Sequence, residues 1–335
     1  MVKKFLICGL GSIGQRHYKN LRSLGHAVAV FRMGGGANTP FIEKFLAEET
    51  AAGRPAVAYH DFDEAIAAFN PDAVFVTNPN SKHLDLALRA ARMGRNLFIE
   101  KPLSNNLAGV EELKVLAEKK KLKVMIAYNL RWHPLLQKMK ALVDGGEIGQ
   151  PLSAHVEMGE NIEDWHPWED YLKAYAAYKD GGGGAVLCFS HDIDYLYWFF
   201  GKPEKVHTIG GKITPLGGDA EDMVKSLLAY KNGLIVSLHL DYWQRPPKRW
   251  FDVIGTKGRV LWDYCAKTLT LTPREKSQPP TVFQLPDGFD RNDMFLDEIK
   301  DFISALNGEK TVGIPLQEGI DVLEMSLAIK KGIGF

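Results

Sequence analysis

The run GLGSIG at residues 9–14, directly after the apolar stretch Phe5 to Cys8, constrains this chain more than any other feature. Glycines at this spacing allow a tight turn, close approach of backbone to a pyrophosphate, and close packing of the next helix on the strand. A helical pattern follows through Tyr18, Leu21 and Leu24, and then a second apolar segment, Ala27 to Phe31. Strand, glycine turn, helix and strand make a dinucleotide-binding unit, in which the exposed amides of the helix start meet phosphate charge. The residues expected at the phosphates are Gly9, Gly11, Ser12, Ile13 and Gly14. The competing reading is a glycine turn with a purely structural role.

The same rhythm continues. DFDEAIAAF at 61–69 begins with a capping residue, Asp61, and its capping-box partner Glu64, and so reads as a helix. Asp72 to Thr77 reads as a buried strand, His83 to Met93 as its crossover helix ending at Gly94, and Leu97 to Ile99 as the next strand. Val110 to Lys120 then predicts a helix whose charged end, EKKKLK at 118–123, is solvated, and Val124 to Ala127 a further strand. This alternation predicts an α/β fold with a mostly parallel sheet covered on both faces. We expect a dinucleotide-binding domain over 1–127 and a second α/β domain over 128–335. At the end of the second strand an enzyme preferring the non-phosphorylated cofactor carries an acid for the adenosine ribose. Phe31 and Arg32 stand there instead. An arginine pairs with a 2′-phosphate, so the expectation leans to NADP over NAD, with a solvated surface Arg32 as the alternative.

Composition removes other classes. Of the 335 residues 45% are hydrophobic and 24% charged, enough apolar surface to offset the entropy of ordering. Lys plus Arg and Asp plus Glu each total 41, which argues against a broad polyanion-binding surface and hence against a nucleic-acid partner. Cys8, Cys188 and Cys265 are too few and too dispersed for a disulfide framework, which fits a reducing compartment. No uninterrupted apolar stretch reaches the roughly 18 residues of a membrane span. MVKKFLICGLGSIG reads as a strand entering a loop rather than an export signal, so a cytoplasmic location is expected.

Three passages go beyond a generic nucleotide-binding fold: GLGSIGQRH at 9–17, TNPNSKH at 77–83 with EKP at 100–102, and GGGAVLCFSHDIDYLYWFFG at 182–201. In this order and separation the chain resembles, over nearly its whole length, the Gfo/Idh/MocA family of NAD(P)-dependent sugar and cyclitol oxidoreductases. The resemblance implies an N-terminal Rossmann domain and a C-terminal α/β domain built on a large open mixed sheet, whose exposed face makes subunit contacts in a homodimer or homotetramer. It also implies hydride transfer between a nicotinamide and a carbinol carbon of a sugar, nucleotide sugar or polyol. By resemblance Lys101 is the EKP lysine that contacts substrate and cofactor, and His191 is the histidine that serves as acid or base. Thr77, Asn78, Pro79, His83 and Glu100 fall on the cofactor side, and Asp194 stands where the family often keeps an aspartate.

The chemistry agrees with these roles. Hydride removal from an alcohol requires the hydroxyl proton to leave to a base, and a neutral imidazole is suited to take it. An ammonium at Lys101 would stabilise developing alkoxide charge. The bland alternatives are a lysine decorating a strand end and a histidine satisfied in the core. One departure stands out: the acid that often precedes the histidine by about one helical turn is missing, and the stretch is Leu187, Cys188, Phe189 and Ser190. This leaves room for a different substrate-orienting group, or for a non-catalytic dinucleotide-binding regulatory or assembly protein. Cys188, His191, Asp192 and Asp194 lack a closed ligand pattern, and no metal is expected.

The second half has a different texture. GENIEDWHPWEDYLKAYAAYKDGGGG at 159–184 is a polar and aromatic insert. Within it Trp165, His166, Trp168, Glu169, Asp170 and Tyr171 offer rings for sugar carbon faces and polar groups for hydroxyls, read either as a mobile specificity loop or as ordinary packing. Asn129, Arg131 and His133 either orient a hydroxyl, carboxylate or phosphate of the substrate or bond locally. HLDYWQRPPKRW at 239–250 reads as a strand leading into a Pro-interrupted basic loop, in which Arg245 and Arg249 either contact an anionic group or serve packing or subunit contact. Strands are expected at His155 to Met158, Trp250 to Ile254, Arg259 to Trp262 and Thr268 to Leu271, and a loop at 276–281. Phe295, Ile299, Phe302 and Leu306 form one helical stripe, and residues 318–331 a final helix.

Overall fold

A computed structural model of the protein describes residues 1–32, 39–165 and 169–333. The chain divides into two compact units, Met1–Ala127 with Phe295–Ile320, and Tyr128–Met294 with Asp321–Phe335.

The first unit alternates β1 (Lys4–Cys8), α1 (Ser12–Ser23), β2 (Ala27–Phe31), α2 (Thr39–Ala51), β3 (Val57–Tyr59), α3 (Phe62–Phe69), β4 (Ala73–Val76), α4 (His83–Arg92), β5 (Asn96–Glu100), α5 (Val110–Lys120) and β6 (Val124–Ala127). The six strands pair in the order β3-β2-β1-β4-β5-β6, every pair parallel. Strands such as AVFV in β4 and VMIA in β6 are buried at every position, as a sheet with both faces covered requires. The cap foreseen at Asp61 forms, its carboxylate accepting from the Glu64 amide at 2.7 Å. Strand order reverses between β1 and β4, and in a doubly wound sheet the crevice beyond the carboxyl ends of those strands takes the ligand.

The second unit carries α6 (Pro134–Asp144), β7 (Pro151–Gly159), α7 (Ala185–Cys188), α8 (Ser190–Phe200), β8 (Lys205–Gly211), β9 (Met223–Ala229), β10 (Ile235–Asp241), β11 (Lys248–Gly255), β12 (Gly258–Asp263), β13 (Thr268–Pro273) and β14 (Thr281–Gln284). The strands form one mixed sheet, β14-β13-β12-β11-β7-β10-β9-β8, in which β7 and β10 run parallel and all other neighbours antiparallel. One face is core, with Val156, Leu238, Phe251 and Val253 buried, and the other leaves Ile209, Leu227 and Ile235 exposed.

Two last helices, α9 (Arg291–Leu306) and α10 (Leu316–Gly332), contain the remaining crossings between units. The second domain is therefore not the contiguous 128–335 stretch expected from sequence: residues 295–320 belong to the first unit. The cause is the apolar stripe of α9. Phe302 lies 5.5 Å from Phe98 and 6.0 Å from Phe75, edge-on to two rings that are themselves stacked at 4.3 Å. The connection that follows is tied to β6, with the Ile126 amide donating to the Ile314 carbonyl at 3.1 Å. Among the described residues no helix is long and apolar enough to cross a membrane.

Removing the fully buried Phe302 ring by Phe302→Ala should cost about 3–5 kcal/mol and lower the melting temperature by roughly 10 °C in calorimetry. Val115→Ala, at a position 51% exposed, should leave it nearly unchanged.

Candidate active site

At the end of β1 the chain turns through Gly9, whose φ of +108° belongs to the region that favours glycine. A side chain there would lie 2.9 Å from the Asn78 amide nitrogen and the Thr77 carbonyl oxygen, so the end of β4 packs directly on the turn. A Cβ on Gly14 would overlap the Gly9 carbonyl oxygen, which places the first turn of α1 against the turn backbone. The Thr77 hydroxyl closes this contact from the other side, 2.7 Å from the Gly9 carbonyl oxygen and 3.1 Å from that of Cys8.

Gly11 differs. Its φ of −64° suits any residue, yet a Cβ there would meet nothing within 4 Å. This open space lies at the N-cap of α1, where no side chain caps the helix and no acid occupies the first turn formed by Ser12, Ile13 and Gly14. Unpaired amides and the positive end of the helix dipole favour an anion there. Beside it, both polar atoms of the Asn78 side chain are buried with no hydrogen-bond partner among the described residues. An orphaned amide next to a helix start cleared of side chains fits a dinucleotide pyrophosphate, held by Gly9 to Gly14 with Asn78.

Two residues expected as cofactor contacts act differently. Glu100 is buried, one carboxylate oxygen 2.7 Å from Nε2 of buried His17 on α1 and the other accepting from the Lys101 amide at 3.2 Å. His83 is 1% exposed, its ring nitrogens 2.7 Å from the Asn78 carbonyl and 2.8 Å from the Pro102 carbonyl. Burial pushes its pKa down, so it remains a neutral spacer between the TNP turn and the EKP turn. These side chains hold the loops that carry Asn78, Pro79 and Lys101. Arg32 stands at the end of β2 with its guanidinium 3.9 Å from Glu43.

In the second unit His191 lies in the first turn of α8, half-buried, its ring edge-on to Tyr128 at 5.7 Å. The two acids that follow it in this turn are buried and bound. Asp194 accepts from Arg131 at 2.7 and 3.0 Å, and Asp192 accepts from Arg249 at 3.0 Å and from the Tyr195 hydroxyl at 2.6 Å. Burial, seconded by the Asp192 carboxylate, holds the Tyr195 phenol well above its ordinary pKa. Arg131, expected as a substrate contact, therefore serves as a buried brace for α8. Arg249 does the same from β11, whereas Arg245 pairs with Glu163 and Asp164 at the surface. Asn129 is buried at the start of the same short helix as Arg131. Leu187, Cys188, Phe189 and Ser190, where the family acid is missing, are all buried.

Sequence reasoning missed Glu221 and Lys330. The Glu221 carboxylate, buried and 2.9 Å from the Lys330 ammonium, accepts from the Val186 amide at 3.3 Å, and its carbonyl accepts from the Ala185 amide at 2.9 Å. Together they cap the start of α7, the short helix leading to His191. Nothing local in the sequence marks either residue, because they lie 109 positions apart.

The insert is partly anchored. Trp165 packs edge-on to Phe189 at 5.5 Å and Tyr242 at 5.2 Å, and the Tyr171 hydroxyl accepts from the Gly217 amide at 2.9 Å. A cavity of about 60 Å³ opens between Trp165, Glu169, Tyr171 and Tyr175. His166 and Trp168, also expected at the substrate, lie outside the described residues. Among the described residues no three His, Cys, Asp or Glu side chains are grouped to hold a metal ion.

The comparisons with known proteins agree with this arrangement. Residues 3–128 match the oxidoreductase family with an NAD-binding Rossmann fold, and residues 136–261 match the GFO/IDH/MocA C-terminal domain. The chain belongs to the Gfo/Idh/MocA family. A myo-inositol 2-dehydrogenase from Thermotoga maritima is 27% identical over 98% of this chain and 95% of its own length. A levoglucosan dehydrogenase, solved with NADH and levoglucosan, superposes with a TM-score of 0.86 at 17% identity, covering 100% of this chain and 98% of its own. A UDP-N-acetylglucosamine 3-dehydrogenase from Acidithiobacillus ferrooxidans superposes with a TM-score of 0.79 at 21% identity, covering 99% and 98%. These two solved structures share the fold with this Gfo/Idh/MocA chain.

The two kinds of glycine separate experimentally. Gly11→Val should fold with an unchanged melting temperature yet weaken dinucleotide binding by about 100-fold in a fluorescence titration. Gly14→Ala should lower both stability and affinity, because the helix must move off the strand to accept a methyl group.

Proposed function

We propose that this chain moves hydride between NADP, in preference to NAD, and a carbinol carbon of a sugar, nucleotide sugar or polyol. The observation that carries the reading is the open helix start over Gly11 at the strand-order reversal, in a chain that also holds a half-buried histidine followed by two braced aspartates. Bound there, the nicotinamide supplies the hydride acceptor in oxidation and the donor in reduction. His191 takes the hydroxyl proton when the alcohol is oxidised and returns it in the reverse direction. Lys101 stabilises the negative charge that develops on that oxygen. The aromatic insert, through Trp165 and Tyr171, covers the carbon face of the substrate.

The lean to NADP rests on Arg32, a cation at the end of β2 where an acid would repel a 2′-phosphate. Cys8, Cys188 and Cys265, none of them in a disulfide, support a reducing, cytoplasmic setting. The outer face of the second sheet supports a homo-oligomer. Ile209, Leu227, Ile235 and Ile254 project from four of its strands, β8, β9, β10 and β11, at exposures of 83, 55, 55 and 37%. Apolar side chains grouped in this way on a solvent-facing sheet mark an interaction surface.

The test is a change in nicotinamide absorbance when defined alcohols meet the protein with NADP⁺ or NAD⁺. Lys101→Met and His191→Asn should each lower turnover by about 10²–10⁴-fold while the dinucleotide still binds. A protein that binds dinucleotide but transfers no hydride across a broad polyol panel would be the regulatory alternative. A much tighter NAD⁺ complex would refute the preference for NADP. Sedimentation of the double variant Leu227→Lys with Ile235→Lys should show a smaller species than the wild type; equal sizes would exclude this face as the contact.

A further inference from the structure

The family acid absent before His191 leaves the substrate without a carboxylate to accept a hydroxyl hydrogen bond, and the surrounding acids do not replace it. Asp192 and Asp194 are consumed by Arg249 and Arg131, Glu221 by Lys330, and Asp241 by the Trp243 and Gln244 amides at 2.8 Å each. Glu160 is different. It follows the last residue of β7, and its backbone is fixed by two bonds to the chain of β10 and its extension, Glu160 amide to Asp241 carbonyl and Ile162 amide to Tyr242 carbonyl, both 3.1 Å. Its side chain is half-buried and accepts no hydrogen bond from any described residue.

The charges facing Glu160 come from each element around it: Arg249 on β11, Arg291 at the start of α9, and Asp164 in the turn that follows Asn161. Arg249 is the guanidinium that binds Asp192, the residue next to His191. Glu160 and the His191 turn thus share one cation, inside one unit of the fold.

We propose that Glu160 is the substrate-orienting carboxylate of this site, accepting a hydrogen bond from a hydroxyl beside the carbinol that reacts. The proposal rests on the hydride-transfer reading above. Glu160 moves no proton in the reaction; the carbinol C–H pair leaves to the nicotinamide and the O–H proton to His191, while Glu160 fixes which carbon is presented. Its position on a strand end braced by backbone bonds, rather than on the insert itself, suits that task. Burial raises its pKa above the ordinary carboxylate value, with Arg249 and Arg291 pulling it back only in part. The accepting form is the ionised one, so turnover falls as pH drops through that raised value.

The experiment measures kcat/KM against pH with NADP⁺ or NAD⁺ and with myo-inositol, levoglucosan and UDP-N-acetylglucosamine as probes. For any probe the wild type oxidises, Glu160→Gln should lower kcat/KM by about 100-fold and reduce the slope of the acidic limb from two protonations to the single one at His191. Dinucleotide affinity and melting temperature should stay at wild-type values. If Glu160→Gln is misfolded, Glu160→Asp decides: a lowered kcat/KM at unchanged melting temperature supports the proposal, and an unchanged kcat/KM overturns it. A Gln variant within threefold of wild type, or one whose acidic limb keeps the wild-type slope, also overturns it while leaving the hydride reading in place. A wild type that reduces neither cofactor with any of the three probes would instead sink the hydride reading, and the proposal with it.

Discussion

Backbone touches backbone where Gly14 of α1 meets Gly9, and the chemistry of the first unit depends on that contact. A methyl group on Gly14 would force α1 away from the strand and carry its positive end out of the crevice between β1 and β4, and one on Gly9 would strike the Thr77–Asn78 backbone. The contact is sealed by the Thr77 hydroxyl and extended sideways by Glu100, which joins His17 on α1 to the Lys101 amide beyond β5. Three strand ends therefore form one rigid support. The amides of the α1 start and the Lys101 backbone are set by the same few hydrogen bonds.

The second unit fixes its reactive group by charge. Two buried arginine–aspartate pairs flank His191, one from the segment before α6 and one from β11, and a third buried pair, Glu221 with Lys330, caps the helix that precedes it. Such pairs add little net stability, since desolvation offsets most of the attraction, but breaking one leaves a charge stranded in the interior at a cost of about 3–5 kcal/mol. Their effect is on register. A turn of α8 rotated by one residue would bury His191 and expose an aspartate, leaving both arginines unpaired, so the arrangement that points the imidazole outward is the one that satisfies every charge.

What could be read from sequence was what acts over a few residues. The spacing of Gly9, Gly11 and Gly14, the cap at Asp61 and the apolar runs of β4 to β6 follow from local sterics, and the sheet and its glycine turn could be read from them directly. The partners of polar side chains did not follow. Glu100 lies 83 residues from His17, Arg131 lies 63 from Asp194, and Arg249 lies 57 from Asp192. Each carries a residue type that suits substrate or cofactor equally well, and only the fold assigns it to a brace. The return of α9 to the first unit was hidden for a related reason: the stripe of Phe295, Ile299 and Phe302 announces a buried face without saying which core receives it. The strands β8 and β9 alternate in burial, but KVHTI and MVKSL do not alternate apolar with polar residues, because Ile209 and Leu227 lie on the exposed face.

The ten histidines show how the fold separates residues that sequence treats alike. His17, His83 and His133 are buried, and burial holds the pKa of His83 down and that of His133 down to about 4, Arg249 adding to the effect at His133. The lowered values keep the His83 and His133 rings neutral at ordinary pH. His155 and His239 lie on the outer face of the second sheet, bound to Ser237 at 2.8 Å and Asp241 at 2.9 Å. A proton-transfer role requires an imidazole that a substrate hydroxyl can reach and that is held still by its neighbours rather than by its own burial. The groups that anchor the His191 turn, Asp192 and Asp194, are almost completely enclosed, and the enclosure ends at the residue between Ser190 and Asp192.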